Sequence, residues 1–394
     1  MIHQINRRDF LQQSMTGAAA LYAWHLTSFL PQDLNAQNVK SEDNGKLIWV
    51  ETAGSGLEIG RQYGLKVGNL LINQIENSLN RLNKRFESEP MEKAYRMMLD
   101  VLEHDFTYIV EEMRGMAAGT KLNFKDVALS NLSAGFGAFI EENDGCSNII
   151  FIESDHGPIL GKTLDGSSSE SGTAVVRLIR PDVGNTMLCE TRIGGISTET
   201  GINDRGLAVG ESSIHFPTIN PRGIIRNILP RLILQECANV EEAIQFLSRH
   251  PTLRHGFHFA LVDKAGNAAV VERSPTEMYV RRAEGKIVFC TNHTATPCMR
   301  KLELSRGPVG DKNSDERYAN LQRITSSPDF EMTLDSMKNI LRNHREPGGI
   351  CQHGDLEMYT HRAYITIPDE GKLLVAPGSP CKHEFKEFSL QGTK

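Results

Sequence analysis

Apolar side chains recur every three or four residues over the first part of the chain. Between residues 57 and 86, from Ile59 to Leu82, they form one face of a helix, with Asn, Gln, Lys and Arg on the other face. A second stretch begins at Pro90, a residue favoured in the first helical turn, and keeps this spacing to about Ala118. Gly119 then lies at the position just past the expected helix end. The pattern predicts two long helices before residue 145.

From Cys146 onward the hydrophobic period shortens to two, which is typical of strands. The first hairpin is predicted from Cys146 to Asp165, with its turn at residues 154–157. Further strands are predicted at residues 173–179, 186–192, 207–212, 257–262, 268–272, 287–291, 363–368 and 372–376, and helices at 221–234, 240–250 and 332–343. Short turns rich in Gly, Asp and Asn favour hairpins over β-α-β crossovers. The predicted fold class is therefore α+β, with helices packed outside stacked sheets.

The first 36 residues have the features of an export signal. Arg7 and Arg8 precede Asp9, Phe10 and a weakly apolar stretch, and Ala36 offers a small residue for cleavage. This arrangement resembles a twin-arginine signal, and the stretch is too short and too polar to span a bilayer comfortably. The alternative is an amphipathic helix of the mature domain. We predict export to the periplasm or the cell exterior, a mature domain of residues 37–394, and no membrane span.

Composition narrows the range of functions. The chain has 394 residues, of which 39% are hydrophobic and 23% charged, and this balance excludes a disordered chain. Its formal net charge is −6, whereas a general binder of nucleic acid would carry a basic excess. The chain is therefore predicted to be a globular protein that does not bind nucleic acid.

Metal-ligand spacing is weak despite 13 histidines and seven cysteines. His255 and His258 would lie on opposite faces of a strand, and Cys290 and Cys298 form no Cys-x-x-Cys pair. The sequence therefore predicts no metal and no cofactor.

Cys146 has the setting of a nucleophile. An odd number of cysteines leaves at least one thiol unpaired, and this one opens a strand directly after Asn143-Asp144-Gly145, where glycine permits unusual backbone geometry. Attack of its thiol on the preceding carbonyl would cleave the chain and free an α-amine with a pKa of about 7.7–8.0, able to act as base toward a thiol of about 8.5. If the hairpin turn centres between Asp155 and His156, Asp165 lies opposite Cys146. The alternative is a buried strand cysteine without chemistry.

Several segments, in order along roughly residues 50–390, resemble one known family. Asp144-Gly145-Cys146-Ser147 is similar to the self-cleavage site of the acyl-coenzyme A:6-aminopenicillanic acid acyltransferase (isopenicillin N acyltransferase) family, self-processing members of the N-terminal-nucleophile hydrolases. The other similar segments are Glu112–Gly119 with Asn131, Gly161–Asp165, Gly201–Leu207, Thr291–His293, Ser314–Tyr318 and Ala376–Cys381. The segment after the nucleophile lacks the aromatic residues of many members, which leaves the acyl group open.

The resemblance implies a four-layer αββα sandwich and cleavage of the bond between Gly145 and Cys146. The products would be a helical segment, residues 37–145, and a β-rich catalytic segment, residues 146–394, which stay associated. In the cleaved protein Cys146 would be the nucleophile and its α-amine the base.

The resemblance also assigns roles to polar residues. Asn292 would donate its side-chain amide to the oxyanion of the tetrahedral intermediate, while Asp165 and Arg317 would orient or charge-balance the site. Asn203 and His293 are expected to contact the substrate. The alternatives are a turn-forming role for Asn292 and a surface helix charge for Arg317.

The predicted function is that of a self-processing cysteine amidohydrolase or acyltransferase acting on a small-molecule N-acyl amide. The acyl group would pass to Cys146 as a thioester and then to water or to an amine. Export favours water, because coenzyme A thioesters are expected to be scarce outside the cell. The alternative is an exported binding protein of the same fold without activity.

Overall fold

The structure is a computed structural model that describes residues 47–82, 89–133, 145–166, 172–283, 285–354 and 358–392. The predicted export signal, residues 1–36, and Asn143 and Asp144 lie outside the described residues. None of the helices in these segments is long and apolar enough to cross a membrane.

Helices and strands alternate in groups along the chain. The helices are α1 (Gly56–Leu82), α2 (Glu89–Asp105), α3 (Thr107–Thr120), α4 (Phe124–Leu132), α5 (Leu229–Glu236), α6 (Val240–Arg249), α7 (Pro297–Arg300), α8 (Gly307–Thr325) and α9 (Leu334–Leu341). The strands are β1 (Leu47–Gly54), β2 (Gly145–Phe151), β3 (Ile159–Gly166), β4 (Ala174–Pro181), β5 (Met187–Arg192), β6 (Thr200–Asn203), β7 (Leu207–Ile219), β8 (Arg254–Asp263), β9 (Ala268–Arg273), β10 (Met278–Arg282), β11 (Ile287–Cys290), β12 (Tyr359–Ile367), β13 (Lys372–Ala376) and β14 (Lys386–Ser389).

These strands form two sheets. The eight-stranded sheet has the order β1-β4-β5-β6-β7-β8-β9-β10, and the six-stranded sheet has the order β11-β2-β3-β12-β13-β14. Strand β1 pairs in parallel with β4 over Leu47–Gly54. The other strand pairs among the described residues are antiparallel, as the short predicted turns require.

Three apolar interfaces separate four layers. The first packs helices α1 to α6 against the eight-stranded sheet, the second joins the two sheets, and the third packs α8 and α9 against the six-stranded sheet. Consecutive residues of β2 show the consequence: Ile149 faces the helices and Ile150 faces the other sheet, so both sides of the strand are buried. The predicted α+β class and αββα sandwich are thereby confirmed.

The helix predicted from Pro90 to about Ala118 is two helices. Phe106 interrupts it between α2 and α3 with φ −141° and ψ 54°, and its ring packs in the core against Phe246. Helix α3 also continues through Gly119, and the left-handed residue that ends it is Lys121, with φ 61°. Tertiary packing of one aromatic ring therefore overrides the helical periodicity.

Some elements carried too little pattern to be predicted from sequence. Strand β6 has only four residues, and β1 places a strand inside the segment predicted to be helical. The other missed elements are β10, β14, α4, α7 and α8.

Helices α1 and α3 approach closely because glycines line their contact. A Cβ atom on Gly60 would lie 1.9 Å from the carbonyl oxygen of Glu112, and one on Gly115 would lie 2.1 Å from that of Leu57. Since real Cβ atoms do not approach backbone oxygens so closely, only glycine permits this spacing.

Replacing Gly115 by alanine should therefore force α1 and α3 apart. We expect the free energy of unfolding to fall by about 1–3 kcal/mol, the usual cost of overpacking, in urea denaturation followed by circular dichroism. Gly172→Ala is the matched control, because a Cβ there would have its nearest contact 4.0 Å away, at Nη2 of Arg362. Equal stability of the two variants would contradict the close helix contact.

Candidate active site

The hairpin of β2 and β3 sets the position of Cys146. Its register pairs Gly145 with Asp165 and Cys146 with Leu164, so the predicted pairing of Cys146 with Asp165 is wrong by one residue. The last pair before the turn joins Phe151 to Ile159, so the connection is the seven residues 152–158. An odd number of residues places the centre of the turn on Asp155, not between Asp155 and His156. The register shift decides which side chains share a face with the thiol.

Side chains of directly paired residues lie on the same face of a sheet, as do those two positions along a strand. Cys146, Leu164 and Lys162 therefore share the face of the six-stranded sheet that packs against the eight-stranded sheet. Gly145 and Asp165 lie on the opposite face. The thiol consequently has a lysine, not the predicted aspartate, as its ionisable neighbour on the same face.

Arg317 hydrogen-bonds to Cys146 and Ser147 at the start of β2 and to Asn292. It projects from α8, is 1% exposed, and its Nη1 donates to the carbonyl oxygen of Cys146 at 2.6 Å and to Ser147 Oγ at 2.9 Å. Its Nη2 donates to Asn292 Oδ1 at 2.7 Å, and its Nε to Asn313 Oδ1 at 2.9 Å. The structure thus brings Arg317 to Cys146, whereas the alternative of a surface charge does not hold.

Asn292 follows β11 and holds the backbone nitrogen of Cys146. Its Oδ1 accepts from that nitrogen at 2.8 Å as well as from Arg317. Its Nδ2 donates to the carbonyl oxygen of Ser213 at 3.2 Å and to Ser213 Oγ at 3.3 Å. Two donors on one oxygen fix the orientation of the amide. The oxyanion role of Asn292 stays a prediction, because its donor group points to Ser213 in this form of the chain.

Asp165 is enclosed by hydrogen-bond donors. Thr360 Oγ1 lies 2.7 Å from its Oδ1 and Gln352 Nε2 lies 3.1 Å from its Oδ2. Burial raises the pKa of this carboxyl, against the opposing effect of the Arg317 guanidinium. Asp165 is therefore a buried, hydrogen-bonded carboxyl that packs next to Gly145.

Three ionisable residues not predicted from sequence lie between the sheets beside the thiol. Lys162 Nζ is 3.4 Å from Cys146 Sγ and 2.9 Å from Glu211 Oε1, and it also donates to the carbonyl oxygen of Glu211. Glu211 is in turn hydrogen-bonded to Glu199. The sequence signal for them is a charged residue inside an apolar strand, Lys162 in β3 and Glu211 in β7. Because a buried charge requires a partner, two such residues are expected to pair.

Burial and mutual contact shift the pKa values of this group. Burial raises the pKa of the Cys146 thiol well above its ordinary range, although the Lys162 ammonium opposes the shift. Burial likewise raises the pKa of Glu211 to about 8, against Lys162 and together with the negative Glu199. Burial opposes the charge of Glu199, but Arg192 and its other partners hold its pKa down at about 2. Near neutral pH Glu211 is therefore mostly protonated, and Glu199 carries the negative charge of the pair.

A cavity of about 860 Å³ opens onto Cys146. Helix α1 supplies one wall with a row of amide side chains at helical spacing, Asn73, Gln74, Asn77 and Asn80. Its other lining residues include Asp165, Glu199, Glu211, Ser213, Arg192, Arg226, Asn227, His361 and Arg362. The described wall of the cavity is thus rich in hydrogen-bonding groups.

Two of the predicted substrate contacts lie elsewhere. Asn203 is buried at the end of β6, where its Nδ2 donates to the carbonyl oxygens of Leu234 and Cys237 at 2.9 and 2.7 Å. The ring of His293 packs near Ser314 and Tyr318, and burial lowers its pKa to about 3. Neither residue is among those that line the cavity at Cys146. The structure brings together Gly145, Cys146, Asp165, Asn292 and Arg317, but not these two.

Comparison with known proteins gives one family and several distant structures. The family model for acyl-coenzyme A:6-aminopenicillanic acid acyl-transferase matches residues 153–348. Penicillin V acylase from Agrobacterium tumefaciens is 14% identical with a TM-score of 0.44, and the match covers 62% of this chain and 86% of the acylase. A mutant conjugated bile acid hydrolase from Clostridium perfringens is 11% identical with a TM-score of 0.40, covering 62% and 96% of the two chains. For the Caenorhabditis elegans ortholog of N-acylethanolamine-hydrolyzing acid amidase the identity is 16%, the TM-score 0.41, and the coverage 57% and 93%. None of the curated proteins searched matches the chain.

The matched segment contains Lys162, Asp165, Asn292 and Arg317, and Cys146 lies seven residues before it. The order of segments noted in the sequence continues on both sides of this match. Residues 153–348, about half of the chain, are therefore similar to the acyl-coenzyme A:6-aminopenicillanic acid acyltransferase family.

Proposed function

We propose that the chain cleaves itself before Cys146 and that the new N-terminal cysteine then removes the acyl group from a small N-acyl amide. One observation carries the proposal. The backbone nitrogen and carbonyl of Cys146 are held by Asn292 and Arg317, while its thiol lies beside Lys162 in a cavity of about 860 Å³. A buried structural cysteine needs no such arrangement.

Self-cleavage uses groups already next to the bond. The Cys146 sulfur attacks the carbonyl carbon of Gly145, the peptide C–N bond breaks, and the proton lost by the thiol passes to the nitrogen of Cys146, which becomes an amine. Water then hydrolyses the thioester, leaving a carboxylate on Gly145 and a free thiol on Cys146. The 2.8 Å bond from that nitrogen to Asn292 Oδ1 would persist and hold the amine.

The freed amine supplies the base that the uncleaved chain lacks. Because burial keeps the thiol protonated, the intact chain favours a neutral sulfur. An α-amine of pKa about 7.7–8.0 in the same residue as the sulfur can accept its proton at neutral pH. The Lys162 ammonium at 3.4 Å would stabilise the resulting thiolate.

The acyl group would then pass from the substrate amide to Cys146. The thiolate attacks the amide carbonyl, the amine leaves with a proton from the Cys146 ammonium, and a thioester remains. Water, or an acceptor amine, attacks this thioester and restores the thiol. In this scheme Asn292 would rotate its amide from Ser213 toward the oxyanion, and Asp165 and Arg317 would hold the hairpin and charge balance.

The two fragments should stay together after cleavage. Strand β1 of the N-terminal segment lies in the eight-stranded sheet, paired with β4. The first apolar interface also mixes residues of both segments, such as Ile109 and Val209. Separation would expose this interface to water, which costs a free energy of roughly 25 cal/mol for each Å² of apolar area.

The lining of the cavity combines polar and apolar groups. Amide side chains on α1 offer both donors and acceptors, whereas Leu70, Ile193 and Phe257 are apolar. We infer that the N-acyl amide carries both hydrogen-bonding and apolar groups.

Intact-mass measurement should show two fragments for the mature wild-type chain, the second beginning at Cys146. Cys146→Ala should remain uncut, because alanine has no sulfur to attack the Gly145 carbonyl. Cys298→Ala is the matched control, since Cys298 is an exposed cysteine, and it should cleave like the wild type. A wild-type chain that stays whole and whose Cys146 does not react with alkylating reagents would contradict the proposal and favour an inactive binding protein.

The shifted Glu211 carboxyl gives a prediction for stability against pH. Its ordinary pKa is 4.5 and its folded value about 8, so the folded chain keeps a proton that the unfolded chain releases between these values. This contribution is fully present below pH 4.5 and is lost as the pH rises to about 8. Glu211→Gln mimics the protonated side chain and removes the loss.

We therefore expect Glu211→Gln to gain stability relative to the wild type between pH 5 and pH 8, on the order of a few kcal/mol, in urea denaturation at the two pH values. Glu153→Gln, at an exposed residue, serves as the control and should follow the wild type. If the free energy of unfolding changed equally with pH in Glu211→Gln and the wild type, Glu211 would not retain a proton in the folded state.

A further inference from the structure

Away from the cavity at Cys146, two thiols and two imidazoles meet. His344, Cys351, His353 and Cys381 each direct one possible ligand atom to a common point, with all four atoms within 4.8 Å of one another. Cys351 is buried and Cys381 is exposed, and neither forms a disulfide in this structure. The cluster lies where the loop after α9 meets the turn after β13.

Two of the distances between these atoms match those of a tetrahedral metal site. His353 Nε2 lies 3.5 Å from Cys351 Sγ and 3.3 Å from Cys381 Sγ. A tetrahedral zinc ion, with bonds of about 2.3 Å to sulfur and about 2.0–2.1 Å to nitrogen, would set such a nitrogen–sulfur separation at roughly 3.5 Å. The rings of His344 and His353 pack at an interplanar angle of 31° with their centroids 4.7 Å apart, which brings the second imidazole next to the first.

Hydrogen bonds outside the cluster hold these segments together. Arg342 Nε donates to the carbonyl oxygen of Pro380 at 3.0 Å, and Ser379 Oγ donates to that of Thr360 at 3.0 Å. The backbone nitrogen of Cys351 donates to the carbonyl oxygen of Asn343 at 2.9 Å. Residues next to each ligand are therefore fixed by contacts that need no metal, so the ligand set is prearranged.

We propose that His344, Cys351, His353 and Cys381 bind one zinc ion. Two thiolates and two neutral imidazoles form a neutral complex with Zn²⁺, and binding releases the two thiol protons to solvent. Sulfur and imidazole nitrogen in a tetrahedral set favour zinc over the oxygen-preferring Mg²⁺ and Ca²⁺. Because protein side chains fill all four positions, the metal has a structural role rather than a catalytic one. This site departs from the metal-free expectation based on sequence spacing.

The position of the cluster connects the proposed metal to the residues around Cys146. Gln352 lies between two of the ligands, donates to Asp165 Oδ2 at 3.1 Å, and accepts from Asn313 Nδ2 at 2.6 Å. Asn313 in turn accepts from Arg317. A metal that fixes Cys351 and His353 would therefore hold Gln352 against the residues that surround the start of β2.

The test is the zinc content of the full-length chain, purified under reducing conditions, dialysed against zinc and then against metal-free buffer. Elemental mass spectrometry should find about one zinc ion per wild-type chain. Cys381→Ser should reduce zinc retention at least tenfold, since even the loss of an outer-shell contact costs about 10–100-fold in affinity. Cys298→Ser, at an exposed cysteine outside the cluster, should keep the metal.

A second readout uses the wild type alone, in case Cys381→Ser folds poorly. Cys351 and Cys381 should resist alkylation until a chelator is added, whereas Cys298 should react throughout. The proposal fails if the wild type retains no zinc, if Cys381→Ser retains as much as the wild type, or if peptide mapping finds a Cys351–Cys381 disulfide in place of the metal.

Discussion

The buried guanidinium of Arg317 joins the elements that meet at Cys146. It reaches from α8 to the Cys146 carbonyl on β2 and to Asn292 after β11, at 2.6 and 2.7 Å. Because a guanidinium is planar and presents its donors in fixed directions, these contacts set the relative position of a helix and two strand ends. Removing the partners of a buried charge typically costs about 3–5 kcal/mol. The geometry of the site therefore depends on the fixed position of α8 relative to β2. Hydrogen bonds through Asn313 and Gln352 connect Arg317 further to Asp165.

The two-sheet sandwich explains why chemistry is possible at this point. Its interior is apolar on both faces of β2, which would leave a lone thiol inert and protonated. Lys162, Glu211 and Glu199 introduce charge into that interior, and they do so as a connected group in which each ionised side chain has a partner. The same low-dielectric setting that raises the pKa of the thiol also strengthens the effect of the ammonium on a thiolate. The amine that the proposed cleavage would free as a base would then lie beside a thiol whose thiolate Lys162 can stabilise.

Sequence patterns predicted the layers and several of the residues around Cys146, but not their exact geometry. Hydrophobic periodicity located most strands because both sheets bury at least one face, and ordered short segments pointed to Cys146, Asn292 and Arg317. The hairpin register could not be predicted, since one residue in the turn moves every side chain to the other face. Lys162 was missed for that reason. The Cys and His cluster was missed because its first and last members, His344 and Cys381, are far apart in sequence and only the fold brings them together.

In the proposed mechanism the sulfur of Cys146 carries the acyl group. Quenching the protein in acid during turnover of an N-acyl amide, and then measuring the mass of the fragment that begins at Cys146, would detect this intermediate. We expect a mass gain equal to the acyl group less one hydrogen, located on Cys146 by peptide mapping and removed by hydroxylamine, as for a thioester. Amide cleavage without any acyl adduct on Cys146, or with the adduct on another residue, would show that Cys146 is not the nucleophile.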